Sequence, residues 1–216
     1  MDPSAELPEK LRLMAIVSLP EHPRKNLAHI GALLEGGVGA IMLRDHDAED
    51  GAFLKQARKL REITAKHQAL LIINKRVNIA EVCGADGVHL GFRSLPWEQA
   101  RSAIGPERLL GFSTHNLDEI DRAREAGADY VTYGPVFPTP SKAGLVECCG
   151  LDGLREACAH ATIPVLALGG INPENAEALW QTGIAGLAAI RGLVDVDNPR
   201  EVAAKMLGSG PKTERP

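Results

Sequence analysis

Gly84-Ala85-Asp86-Gly87-Val88-His89-Leu90-Gly91 compresses a helix stop, a short apolar strand and a glycine turn into one run. Related openings precede other apolar runs: Gly127-Ala128-Asp129 before Tyr130, and more loosely Gly36-Gly37-Val38-Gly39 and Gly183-Ile184-Ala185. A glycine just past a helical segment ends it and turns the chain into the next element. The runs after these glycines are continuously apolar, not alternating, as strands buried on both faces require.

Outward from these stops, strands are predicted at Leu13–Ser18, Ala40–Leu43, Leu70–Asn74, Gly87–Leu90, Leu109–Ser113, Tyr130–Tyr133, Val165–Leu168 and Gly186–Ile190. Amphipathic segments lie between and after them at Arg24–Glu35, Ala48–His67, Val77–Cys83, Pro96–Ile104, Leu117–Ala126, Leu151–Ala159, Pro173–Gln181 and Pro199–Leu207. Asn116 before Leu117 and Asn172 before Pro173 have the short polar side chain of a helix N-cap. Eight βα units give either a closed (β/α)8 TIM barrel or an open doubly wound sheet. No separate glycine-rich dinucleotide fingerprint accompanies them, which favours closure. The expected organisation is a single α/β domain over 1–207, with 208–216 as a flexible tail of glycine, proline and charge.

The chain has 216 residues, 44% of them hydrophobic and 24% charged, with a formal net charge of -4. Charges of both signs are interspersed, so no basic face suited to nucleic acid or an anionic membrane is expected. No run is apolar enough to span a bilayer, and the acidic first ten residues do not resemble a secretory signal, so a cytoplasmic location is the default. Cys83, Cys148, Cys149 and Cys158 show neither zinc spacing nor a disulfide framework. Trp97 and Trp180, read as exposed, leave room for a homo-oligomer.

In a barrel of this kind the residues after each strand converge on one mouth. They are Arg44, Asp45 and His46; Asn74, Lys75 and Arg76; Ser94; Ser113, Thr114, His115 and Asn116; Thr139, Ser141 and Lys142; Gly169, Gly170 and Asn172; and Ile190, Arg191 and Gly192. Loops after the seventh and eighth strands commonly hold a phosphate on glycine N–H groups and a helix start. Gly169-Gly170-Ile171-Asn172-Pro173 and Ala189-Ile190-Arg191-Gly192 occupy those two places, although a glycine pair alone also fits a tight turn. Arg44, Lys75, Arg76 and Lys142 add cations; Arg76 reads better as a salt-bridged strand end, Lys142 as functional. The proline-flanked stretch from Pro135 to Gly144 reads as a lid. His115 is open between proton transfer and capping of the helix it precedes, whereas His89, inside a strand, fits a barrel layer.

Leu43-Arg44, Ile72-Ile73-Asn74, the Gly84–Gly91 run, Ser113-Thr114-His115-Asn116, Gly127-Ala128-Asp129-Tyr130, Gly134-Pro135-Val136-Phe137-Pro138-Thr139, Lys142 and Gly169-Gly170-Ile171-Asn172 together carry a resemblance. Over nearly its whole length the chain resembles the thiamine phosphate synthase and TenI superfamily. The synthase joins a pyrimidine pyrophosphate to a thiazole phosphate. Its pattern has one Asp after the third-strand Asn and another downstream of the fourth-strand His-Leu-Gly, and together these hold a magnesium ion. Here those positions are Lys75 and Ser94. The second-strand pattern Gln-Leu-Arg-Glu-Lys becomes Met42-Leu43-Arg44-Asp45-His46.

The thiazole-phosphate half of the pattern is kept: Thr139, Ser141, Lys142, Gly169, Gly170 and the eighth-strand loop. His115 is kept too. The resemblance therefore implies thiamine biosynthesis on a phosphorylated thiazole. The preferred expectation is a TenI-like thiazole tautomerase with His115 as general acid/base, Arg44 near a substrate carboxylate, and no metal or other cofactor. The first alternative is thiamine phosphate synthase, with magnesium if that activity is retained, or with Lys75 as a tethered cation. Thr139-Pro140-Ser141-Lys142 reads more like a synthase. The second alternative is a non-catalytic thiazole- or thiamine-phosphate-binding regulator or accessory protein.

Overall fold

Parallel pairing runs unbroken around eight strands, and the last returns to the first. A computed structural model describes residues 9–18, 26–91, 94–139 and 146–210. The strands are β1 (Leu13–Val17), β2 (Ala40–Leu43), β3 (Leu70–Asn74), β4 (Gly87–Leu90), β5 (Leu109–Thr114), β6 (Tyr130–Tyr133), β7 (Val165–Leu168) and β8 (Gly186–Ala189). Each pairs with its successor, and Leu13↔Leu187 with Met14↔Ala188 closes the barrel. The TIM-barrel expectation holds.

Around it lie α1 (Leu27–Glu35), α2 (Asp50–Lys66), α3 (Val77–Cys83), α4 (Trp97–Ile104), α5 (Leu117–Glu125), α6 (Gly150–His160), α7 (Ala176–Trp180), α8 (Arg191–Val194) and α9 (Pro199–Gly208). None of the described helices is long and apolar enough to cross a membrane.

The strands' two-residue period divides the core. Met14, Met42, Ile72, Tyr130, Leu166 and Ala188 point inward and form one cluster. Leu13, Ile41, Ile73, Val88, Val131 and Leu187 point outward, under the helices, in a larger one. His89 occupies an inner position, fully buried, with Nδ1 3.2 Å from the Tyr130 hydroxyl and Nε2 3.0 Å from Ser113 Oγ. It is the barrel-layer residue that its place inside a strand suggested.

The recurrent Gly-Ala-Asp has a definite task at the bottom of the barrel. Asp86 takes the Leu71 N–H on its carboxylate at 2.7 Å and gives its own N–H to the Leu71 carbonyl at 2.9 Å. Arg61, from α2, completes this clamp at 2.6 Å. One repeat later Asp129 does the same to Leu110, completed by Arg101 from α4 at 2.7 Å.

Three expectations are corrected. Trp97 and Trp180 are buried, not exposed: Trp97 lies against Phe112 at 4.5 Å between ring centroids, and Trp180 Nε1 donates to the Met206 carbonyl. They therefore give no support to a homo-oligomer. The helix expected from Pro173 starts at Ala176, because Asn172 Oδ1 accepts the Glu174 and Asn175 N–H groups and holds that stretch in a turn. The short α8 was not anticipated, since four residues are too few to show helical periodicity. At the other end of the chain, Arg24 and Lys25 fall outside the described residues, and Asn26 caps α1 by accepting the His29 N–H.

Candidate active site

Arg44 continues the β2 ladder, its N–H donating to the Val17 carbonyl at 2.8 Å, and lies half-buried at the rim. Burial lowers the pKa of its guanidinium from the usual value. The turn beyond is built by Asp45, whose Oδ1 accepts the Asp47 and Ala48 N–H groups. Arg76 holds that turn from the next strand: it pairs with Asp50 at 2.7 Å, donates to the Ala48 carbonyl and lies 4.4 Å over the Phe53 ring. Its role is structural, as the sequence suggested.

At the end of β3, Asn74 Nδ2 and the Lys75 N–H both donate to the His89 carbonyl, at 3.1 and 3.0 Å. Lys75 has φ +66°, a left-handed conformation costing a residue with a Cβ of order 1–2 kcal/mol. Its carbonyl accepts the Val77 N–H at 3.0 Å, so the conformation is held on both sides. Burial first, then the charges of Arg44 and Lys75, lower the His46 imidazole below its usual pKa, against Asp47 and Asp45. Arg44 and Lys75 are thus the cations at the C-terminal corner of β2 and β3, with Asp45 and Asp47 beside them.

The next two strands set the middle of the mouth. Ser94 Oγ accepts the Gly91 N–H at 3.0 Å just beyond β4. Ser113 extends the polar chain upward from His89. His115, two residues on, has both its N–H (2.7 Å) and its ring Nδ1 (3.2 Å) on Glu119 Oε2. Asn116 caps α5 by accepting the Glu119 N–H, and its Nδ2 donates to Glu119 Oε1. One carboxylate thus completes a helix cap and fixes an imidazole. Glu119 was missed as a site residue. Its signal was the Asn-x-x-Glu spacing just after the strand.

Opposite the cationic corner, the loops after β6, β7 and β8 interlock. Val136 and Phe137 N–H groups donate to the Leu168 and Gly169 carbonyls. Gly169 and Gly170 have φ +104° and +68°, and a Cβ on Gly170 would lie 2.7 Å from Phe137 Cβ; only glycine fits there. Asn175 Nδ2 donates to the Gly170 carbonyl at 2.9 Å, fixing the turn. Arg191, which opens α8, reaches Thr139 Oγ1 at 3.1 Å and joins the β8 loop to the β6 loop. Ile190 packs against the inner core beneath. Ser141 and Lys142, with the second half of the expected lid, lie outside the described residues.

Magnesium requires several hard oxygen ligands, carboxylates foremost. At the two positions where the resemblance implies them stand an ammonium, Lys75, and a hydroxyl already engaged by a backbone N–H, Ser94. Asp45 Oδ2 is a buried oxygen with no hydrogen-bond partner, yet its corner carries Arg44 and Lys75. Among the described residues no three His, Cys, Asp or Glu side chains form a group that could hold a metal. These donors do not fit the ion.

A family model described as thiamine monophosphate synthase matches residues 13–193. The thiamine-phosphate synthase of Synechocystis sp. is 39% identical over 186 residues, 86% of this chain; the chain spans about half of that relative's length, 54%. The putative thiamine-phosphate synthase of Geobacter sulfurreducens is 41% identical over 192 residues, 89% of this chain and 90% of that one. Among solved structures, a thiamine phosphate pyrophosphorylase from Pyrococcus furiosus superposes with a TM-score of 0.84 at 33% identity, covering 94% of this chain and 96% of its own.

Proposed function

The chain belongs to the thiamine monophosphate synthase family, and on that premise we propose that it couples a pyrimidine diphosphate ester to a thiazole phosphate, releasing pyrophosphate. One observation supports the choice of a two-substrate reaction: groups suited to anions stand on two sides of the mouth. The glycine turn after β7, with Thr139 and Arg191, suits an ester phosphate. Arg44 and Lys75, across the mouth, suit the more highly charged leaving group. The comparisons reverse the order expected from sequence, in which tautomerase stood first, because the named relatives are synthases.

Each side performs a separate task. Backbone N–H groups at Gly169 and Gly170, with Ser141 and Lys142, anchor the thiazole partner by its phosphate. Arg44 presents a planar fork and Lys75 a point charge to oxygens whose negative charge grows as the bond to the pyrimidine breaks. Asn74 and Ser113, each hydrogen-bonded to His89, stand at the ends of β3 and β5.

A thiazole tautomerase is the second reading, and Lys75 and Ser94 favour it together with His115. Glu119 accepts from Nδ1–H of that ring and so makes Nε2 the nitrogen that takes up and returns the proton. Incubating the chain with both substrates, with and without magnesium, and following product by chromatography tests the first reading. Coupled product at enzymatic rates is expected. Absence of product beside interconversion of thiazole carboxylate phosphate tautomers, lost by about 100-fold or more in His115→Ala, overturns it in favour of the second.

A further inference from the structure

We propose that Arg44 and Lys75 form a diphosphate site at the β2–β3 corner that binds its ligand without a divalent cation. That the ligand is a diphosphate rests on the coupling reading; independence from metal rests on the corner itself.

The two cations are placed by the barrel and not by a loose loop. Leu43 pairs with Ile73 at the end of the β2–β3 ladder, so Arg44 and Lys75 leave neighbouring strands at nearly the same height. Arg44 is half-buried and already partly desolvated, so it surrenders little water on meeting an anion. Lys75 is fixed at its root by hydrogen bonds through its N–H and its carbonyl, in a conformation that lysine rarely adopts. Asn would fit that backbone better, so the position is occupied for what the lysine side chain does. Arg76, clamped under the adjoining turn, keeps the corner from spreading.

A diphosphate needs its charge matched and its oxygens oriented. Arginine supplies a two-pronged donor and lysine a compact charge. A divalent ion entering the same corner would meet two like charges. Ser94 offers it only a hydroxyl already accepting the Gly91 N–H. The Asp45 carboxylate spends Oδ1 on the Asp47 and Ala48 N–H groups, leaving one oxygen. Metal and lysine are alternatives here, and this chain carries the lysine.

Calorimetric titration of the full chain with inorganic pyrophosphate tests this, once in excess EDTA and once in excess magnesium. Binding in EDTA is expected, within roughly threefold of that with magnesium. Lys75→Met should weaken it by about tenfold or more, with Lys75→Arg retaining most of it. Lys75→Asp combined with Ser94→Asp should bind only when magnesium is present, with circular dichroism confirming that each variant is folded. Inorganic orthophosphate should bind at least about tenfold more weakly. Wild-type binding that appears only with magnesium, an unchanged Lys75→Met, or equal affinity for orthophosphate would each overturn the proposal. Pyrophosphate binding in EDTA by a chain that makes no coupled product supports this site and removes the coupling reading, so the two fail separately.

Discussion

Lys75 sets a local backbone cost against a charge needed at the mouth, and the two can be measured apart. Asparagine tolerates φ near +66° better than lysine. Lys75→Asn should therefore raise the urea midpoint by the equivalent of up to about 1 kcal/mol while weakening pyrophosphate binding. A variant that loses stability would show that the lysine stem packs rather than reaches. Gly111 is the opposite case, an inner position whose emptiness is structural. A Cβ there would lie 2.6 Å from His89 Nδ1 and closer still to the Tyr130 ring, both fully buried. Gly111→Ala should cost about 1–3 kcal/mol by chemical denaturation, because neither ring has anywhere to retreat. An unchanged midpoint would mean that the inner layer is looser than its contacts show.

The elements of this barrel were legible because their punctuation is local. Glycine stops and continuous apolar runs mark β2, β4 and β6 without reference to any partner. What could not be read is whatever depends on pairing across the barrel. Asp86 and Asp129 recur visibly, but their partners Arg61 and Arg101 lie one helix earlier, and only the fold joins them. The same holds for Arg191 with Thr139, 52 residues apart. At the mouth, Arg44, Lys75, Ser113 and the Gly169-Gly170 turn followed from the rule that strand ends converge, whereas α8 is too short to show a period and the late start of α7 depended on side-chain bonds that periodicity does not report. The clamps themselves give a prediction. Both ion pairs are partly exposed, at 24%/34% and 28%/34%, so their charge attraction contributes little, and the bond to a buried strand N–H dominates. Asp86→Ala should cost about 1–3 kcal/mol and speed hydrogen exchange at the Leu71 amide. Exchange at Leu110, held by the second clamp, should respond only to Asp129→Ala. Equal loss of protection at both amides from either variant would mean that the bottom of the barrel opens as one unit.

For the whole molecule, a histidine sealed within the barrel makes stability depend on pH. Burial holds the His89 pKa down at about 3, while the Tyr130 hydroxyl beside it is pushed up, so the pair stays neutral across the ordinary range. Unfolding releases the imidazole to its usual pKa near 6.5, where it takes up a proton that the folded barrel refuses. The unfolded chain then binds more protons than the native one, and stability falls with decreasing pH. This contribution is complete above pH about 6.5 and is lost progressively down to about pH 3, at roughly 1.4 kcal/mol per pH unit. Between about pH 7 and pH 5, where most carboxylates keep their charge, His89 alone should remove about 2 kcal/mol. Urea midpoints across that window measure it, and His89→Gln separates it from the other histidines: the variant should be less stable at neutral pH yet show a flatter slope. Parallel slopes for the two proteins would mean that water or a proton reaches His89 in the folded state, and that the barrel's polar chain from Tyr130 to Ser113 is open to the mouth above it.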